Sequence, residues 1–211
     1  MAVNLIDSKG EFIGIHYGDA SKQLGTDDID TNHSLFSRAK GIYFGGTAKQ
    51  SRLFQNLESL FKEIDDRGID IFYDPNRFPA EESKIDAKLL LNQLRYVTGY
   101  FPNQDELLQA TGESSIDRAL EHVIETGVKF IALKLGADGC RIKTLDQDLA
   151  VSGLTVVPKT TVGAGDCFNA TFISYYLDGN DLQDCAKYAT KAASIKVGQN
   201  VWPYRDQIEN S

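Results

Sequence analysis

The stretch "TTVGAGDCFNATF", Thr160 to Phe172, decides how this chain is read. It leaves an extended segment, passes through a turn of small residues to a lone carboxylate, Asp166, and enters a helical pattern carrying Phe168 and Phe172. The first N–H groups of a helix lack intrahelical acceptors, and the macrodipole adds positive potential there. Glycines let an anion approach those N–H groups without meeting a Cβ. Asp166 then suits two roles. It could cap the helix, which Asp does well, or take the proton from an attacking hydroxyl as a general base. On this stretch alone the cap is the commoner case.

Working outward, "KFIALK", "CRIKTL" and "LTVVP" read as strands upstream of the turn. Downstream lies a helix opening after Gly165, then a second from about Asp181 to Val197, closed by Gly198. Leu182, Cys185, Ala186, Ala189, Ala192, Ala193 and Ile195 form a stripe of mostly small residues on that second helix, as plain core packing requires. Further upstream, "GIYFGG" reads as a buried strand. Lys49 to Arg67 carries Leu53, Leu57, Leu60, Phe61 and Ile64 at helical spacing, with Gly68 placed to end it. "IDIFYD" is a strand, "AKLLLNQL" a helix and "RYVTGYF" a strand, and two short helical patterns run to Glu125. "VNLID" and "EFIGIHY" form an opening hairpin around "SKG". Strands alternating with helical patterns predict a mostly parallel α/β sheet with helices on both faces. The polar hairpin belongs at an edge or in a flap.

The 211 residues suit one domain or a domain with a small appendage, and a hydrophobic share of 42% is enough for a proper core. A net charge of −8 argues against nucleic acid or an anionic membrane as partner. No apolar run approaches bilayer length, and "MAVNLIDSKGEFIG" lacks the basic and apolar regions of a signal peptide. Cys140, Cys167 and Cys185 show no paired spacing, so a reducing cytoplasm is the simplest home. His16, His33 and His122 are too far apart to suggest a histidine metal site.

Three further stretches could carry chemistry. "KLGADGC", Lys134 to Cys140, places Gly136 and Gly139 around a tight connection, which an ordinary β-turn tipped by Asp138 and Gly139 also explains. "YFPNQDEL" sets Asn103 and Glu106 three apart at a helix start. They could support a hydrated magnesium ion or form a capping box, and one does not exclude the other. "YDPNRF" ends a strand with Asp74, Asn76 and Arg77, suited to a polyhydroxy substrate or simply to a turn. Cys167 beside Asp166 has no nearby histidine and is read as a helix-buried small residue rather than a nucleophile.

The order of these stretches is more telling than any one. DPN at a strand end, then PNxxE, KxGxxG, GAGD opening a helix and an Ala-rich helix together resemble the ribokinase-like (PfkB-type) carbohydrate kinases. The resemblance runs from the first hairpin to Val197, and "DPN" followed by Arg looks most like 2-keto-3-deoxygluconate kinases and fructokinases. It implies a three-layer α/β/α fold with residues 1–34 as a lid hairpin and connection and 35–211 as a nucleotide-binding core. It implies ATP- and Mg2+-dependent phosphorylation of a sugar or sugar acid, with Asp166 as base and Gly163, Ala164 and Gly165 as anion hole. Lys134, Gly136, Gly139 and Asn200 would lie along the ATP, Asn103 and Glu106 would support Mg2+ and phosphate, and Asp74, Asn76 and Arg77 would face the sugar. Dimerisation through the lid hairpin is implied by the same analogy.

Three departures from the family pattern stand out. Met1 opens almost on the flap hairpin, so the chain is expected to lack the family's N-terminal strands, sugar-binding aspartate and glycine pair, whether by descent or by truncation of a full enzyme. A nucleotide-binding remnant without catalysis is therefore the alternative to a kinase. Thr160 stands where the family has an acidic residue associated with a monovalent-cation site, so a potassium requirement does not carry over. Arg77 directly follows Asn76, where the commoner pattern leaves a residue between.

Overall fold

In a computed structural model, residues 2–6, 12–16, 23–49, 51–76 and 87–210 are described. The chain divides into two compact units. One comprises Met1–Gly18, Lys134–Ile142 and Leu149–Ser211, the other Asp19–Leu133 and Lys143–Asp148. The strands are β1 (Ala2–Ile6), β2 (Phe12–His16), β3 (Gly41–Gly45), β4 (Asp70–Asp74), β5 (Gly99–Tyr100), β6 (Phe130–Lys134), β7 (Gly139–Lys143) and β8 (Asp148–Ser152). Among the described residues, β1 and β2 pair antiparallel, and the other six follow the order β3-β4-β5-β6-β7-β8 in one sheet. The β3–β4, β4–β5 and β5–β6 pairs are parallel. The "SKG" turn, residues 17–22 after β2 and Arg77 lie outside the described residues.

The unit containing β3 to β5 is built on helices α1 (Ser51–Asp65), α2 (Ala87–Leu94), α3 (Gln104–Thr111) and α4 (Ile116–Ile124). The stripe predicted for α1 is realised: Leu57, Phe61 and Ile64 are wholly buried. The i,i+4 pairs Lys62–Asp66 and Glu63–Arg67 lie on its solvent side. Gly68, at φ 72°, turns the chain out of that helix as anticipated. Behind β4, Tyr73 Oη donates to Gln93 Oε1 at 3.0 Å, Gln93 Nε2 donates to the Phe54 carbonyl at 2.7 Å, and Thr47 Oγ1 lies 3.0 Å from Tyr73 Oη. Burial holds the Tyr73 phenol well above its ordinary range, so it remains a hydroxyl donor.

Two strand readings need correction here. "GIYFGG" is not a buried strand: β3 ends the sheet order and only Phe44 in it is buried. The strand read over "RYVTGYF" shrinks to Gly99–Tyr100. Gly99 is required there because a Cβ would run into the Phe130 ring.

The other unit carries α5 (Ala164–Leu177), α6 (Leu182–Gln199) and α7 (Arg205–Glu209). The small-residue stripe does what its composition allows. Cys185, Ala186, Ala189 and Ala192 are wholly buried, and Tyr175 of α5 stacks on Tyr188 of α6 with centroids 4.3 Å apart. The short α7 was not foreseen; its Arg205 lies over the Tyr175 ring and pairs with Asp178. "LTVVP" is not a strand, and β8 lies before it over the alternating Asp148–Ser152. An apolar run read as strand thus has another use, since Leu154 and Val156 line a cavity. α6 is ended by Asn200 in the left-handed conformation, φ 59°, rather than by Gly198.

Replacing Tyr73 with Phe strands the Gln93 carbonyl and the Thr47 hydroxyl in a dry core. Urea unfolding of Tyr73→Phe is expected to show a loss of about 1–3 kcal/mol, with the m-value unchanged.

Candidate functional site

The helix start quoted at the outset is capped by glycine. Gly163 adopts φ 81° as the N-cap of α5, with no side-chain cap. The Ala164 N–H turns back to the Thr161 carbonyl at 3.2 Å, and the first helical bond runs from Cys167 N–H to the Gly163 carbonyl at 2.9 Å. The N–H groups between them, of Gly165 and Asp166, find no acceptor among the described residues. Asp166 therefore does not cap the helix. It sits in the first turn, exposed, and its carboxylate has no hydrogen-bond or ion-pair partner among the described residues.

Lys134 reaches the same turn from the end of β6. Its Nζ lies 3.6 Å from where a Cβ on Gly165 would stand. The chain then makes a single 3-10 turn over Gly136–Asp138, not a β-turn tipped at Asp138 and Gly139, and enters β7 at Gly139, φ 98°. A Cβ on Gly139 would strike the Val151 carbonyl and the Gly153 nitrogen, and a Cβ on Gly153 would strike the Ala137 carbonyl. Gly153 N–H bonds the Asp138 carbonyl at 3.1 Å, closing this backbone-to-backbone contact.

Beside it opens a cavity of about 560 Å3. Lys134, Gly136, Gly139, Ala164 and Gly165 line it together with Gly153, Val156, Ala193 and Val197. One end is thus glycine backbone, a helix N-terminus and an ammonium; the other is apolar. A volume of this size and mixed lining suits a small-molecule ligand with an anionic tail and a flat apolar body.

Asn200 is not among the lining residues; its Oδ1 accepts from Lys196 Nζ at 2.8 Å instead. Thr160 is buried, and its hydroxyl accepts from Val162 N–H at 3.2 Å. Cys167 is 3% exposed and its thiol is pushed up by burial, partly offset by the Lys196 charge, which fits an inert packing residue.

The remaining candidates belong to the other unit. Asp74 is 2% exposed, and Asn76, at φ 62°, donates its N–H to Asp74 Oδ1 at 3.0 Å, so the turn chemistry is realised. Asn103 and Glu106 form the reciprocal capping box: Asn103 Oδ1 accepts from Glu106 N–H at 2.9 Å, and Glu106 Oε2 accepts from Asn103 N–H at 2.8 Å. Glu106 is buried, and burial, with Glu106 and Asp74 nearby, holds the Tyr100 phenol far above its ordinary range. Among the described residues no group of three His, Cys, Asp or Glu side chains could enclose a metal. An amide oxygen and a carboxylate are hard donors of the kind that meet Mg2+ through its water shell rather than in a protein cage. Sequence reasoning missed Gly153 and Lys196. A lone glycine after an alternating strand was a usable signal for the first; nothing in the helical pattern marked the second.

The sequence pattern of a family described as "pfkB family carbohydrate kinase" matches residues 1–200. An uncharacterized sugar kinase of Archaeoglobus fulgidus is 33% identical over 124 residues, which cover 59% of this chain and 48% of that protein. A 2-dehydro-3-deoxygluconokinase of Thermoproteus tenax is 25% identical over 196 residues, covering 92% of this chain and 59% of its own length. The crystal structure of ribokinase from Thermotoga maritima superposes with a TM-score of 0.79 at 23% identity, over 99% of this chain and 67% of that one. The chain thus spans about half the length of the relatives it matches.

Gly153→Ala is expected to lower stability by about 1–3 kcal/mol through overpacking against the Ala137 carbonyl, read as a fall in melting temperature. Burial pushes all three thiols up, Cys185 to about 12. Ellman's reagent should therefore label none of them at pH 8 until denaturant is added.

Proposed function

The chain belongs to the pfkB family of carbohydrate kinases, and from that premise we propose that it transfers the terminal phosphoryl group of ATP to a hydroxyl of a sugar or sugar acid. The observation that carries this reading is the pairing of an unspent carboxylate with unspent N–H groups on one helical turn. Asp166 is exposed and free to accept a proton, while the Gly165 and Asp166 N–H groups and the Lys134 ammonium converge on the same spot.

The roles follow from the chemistry. Asp166 takes the proton as the sugar oxygen attacks phosphorus, the bond from phosphorus to the ADP oxygen breaks, and the proton later leaves Asp166 for water. Phosphoryl transfer relies on positioning and charge stabilisation. The Gly163–Gly165 turn holds the transferred group's equatorial oxygens, and the glycines let them reach the N–H groups. Lys134 neutralises charge as it builds. The 560 Å3 cavity takes the nucleotide, with purine against Val156, Ala193 and Val197 and phosphates toward Gly136 and Gly165. Bound Mg2+ would supply further neutralisation of the phosphate oxygens, and Asn103 and Glu106 are the residues assigned to its water shell.

Asp74, Asn76 and Arg77 are assigned to the sugar. A relative named for a keto sugar acid supports a substrate of that class. Residues 1–34 are assigned to a lid and its connection, 35–211 to the core, and the lid to homodimer contact. A cytoplasmic setting suits three free, buried cysteines. Among the described residues no helix is long and apolar enough to cross a membrane.

ADP release with ketoses and sugar acids tests the reading. Asp166→Asn should cut turnover by about 10²- to 10⁴-fold, the range of general-base catalysis, while calorimetry shows ATP binding retained. ATP binding without turnover on any sugar would assign the chain a nucleotide-binding role without transfer. Absence of ATP and ADP binding would overturn the proposal.

A further inference from the structure

One charged side chain near the helix start is unused by the proposed chemistry. Lys196, in the last turn of α6, is 6% exposed. Its Nζ donates to Asn200 Oδ1 at 2.8 Å and lies 5.5 Å from the Trp202 ring centroid. Among the described residues it has no carboxylate partner. One of its three N–H donors is therefore matched by an amide oxygen, and the charge itself only by the face of a ring.

Its position is specific. A Cβ built on Gly163 would stand 3.5 Å from Lys196 Cε and 3.4 Å from the edge of Trp202, so lysine and indole pack against the left-handed cap of α5. The segment leading into that cap is tied to the same helical turn: the N–H groups of Lys159 and Thr160 reach the Val197 carbonyl at 2.9 and 3.4 Å. Thr160, buried at the point where this segment meets α6, is neutral and spends its hydroxyl oxygen on Val162 N–H. The Lys196 charge is felt at Cys167, one residue beyond Asp166.

A buried ammonium without a counter-charge is costly. Kept beneath a turn whose N–H groups are themselves unspent, it completes a positive seat that lacks only its anion. We propose that Lys196 is a positioning residue, an internal cation that holds the Gly163 cap and adds its charge to the anion seat of the Gly163–Gly165 turn. This rests on the reading that the turn receives a phosphate. It differs from the role of Lys134, which lines the cavity, because Lys196 acts through the cap and is absent from the lining.

The test uses the full chain and two probes, inorganic tripolyphosphate and ATP, with adenosine as an uncharged control. For Lys196→Met, which keeps the stem and removes the charge, affinity for ATP and for tripolyphosphate should fall about tenfold or more. Adenosine affinity should be unchanged, and Lys196→Arg should retain most anion binding. With Lys196→Ala, ammonium chloride should restore part of the tripolyphosphate-induced rise in melting temperature and choline chloride should not. If Lys196→Met fails to fold, Lys196→Gln takes its place with the same expectation. Equal loss of ATP and adenosine affinity would reduce Lys196 to a packing residue, and unaltered anion affinity in the charge-free variants would overturn the proposal outright, as would a wild-type chain blind to tripolyphosphate. Sugar turnover is not part of this readout. Anion binding that needs Lys196 in a chain with no kinase activity would uphold the inference while the function falls.

Discussion

Where two stretches of backbone cross in close contact, a Cβ on either can stand in the way. At Gly139 and Gly153 the end of the 3-10 turn and the exit of β8 meet in this way, nitrogen to carbonyl, with a hydrogen bond from Gly153 to Asp138. The contact sets the course of residues 153–158 along the cavity, so that Leu154 and Val156 become wall rather than strand. It also fixes the turn that follows Lys134, and with it the direction from which that ammonium meets the start of α5. Neither glycine would be replaceable by alanine without moving backbone, which is harder to move than a side chain.

The segments whose fate is set by local chemistry were legible in the sequence. Leu53, Leu57, Leu60, Phe61 and Ile64 announced α1 because helix period and burial agree, and Ala87–Leu94 was found to the residue. The order of glycine, asparagine and carboxylate stretches announced the family and the ribokinase-like α/β fold, and both are borne out. What stayed hidden depends on contacts distant in sequence. An apolar pentad such as Leu154 to Pro158 has the same period whether it joins a sheet or rims a cavity. Gly198 and Asn200 compete as helix terminators, and Asn200, which accepts from Lys196, takes the left-handed position that asparagine tolerates. Nothing in the helical pattern marked Lys196.

The charge balance bears on how a chain of net charge −8 would present the proposed anion site. Locally, the seat has Lys134 at its mouth, Lys196 beneath the cap and a helix N-terminus between them. The neutral Thr160 keeps a carboxylate away from this group. Long-range repulsion from the acidic surface is screened within about 10 Å at ordinary ionic strength, so the field an incoming phosphate feels at contact is that of the nearest groups.

The capping chemistry then explains why the turn is Gly-Ala-Gly-Asp. An aspartate at the cap would spend its carboxylate on the very N–H groups an anion needs, losing base and seat together. Gly163 turns the chain into α5 by backbone conformation alone, at φ 81°, and asks for no side-chain partner. The carboxylate stands in the first turn instead, exposed to solvent and spent on no cap. A glycine cap costs little stability relative to a capping side chain, and that small loss leaves two reactive elements unspent within one turn. The two readings of Asp166 were therefore never equal alternatives once the backbone was fixed, because a left-handed Gly163 already occupies the cap.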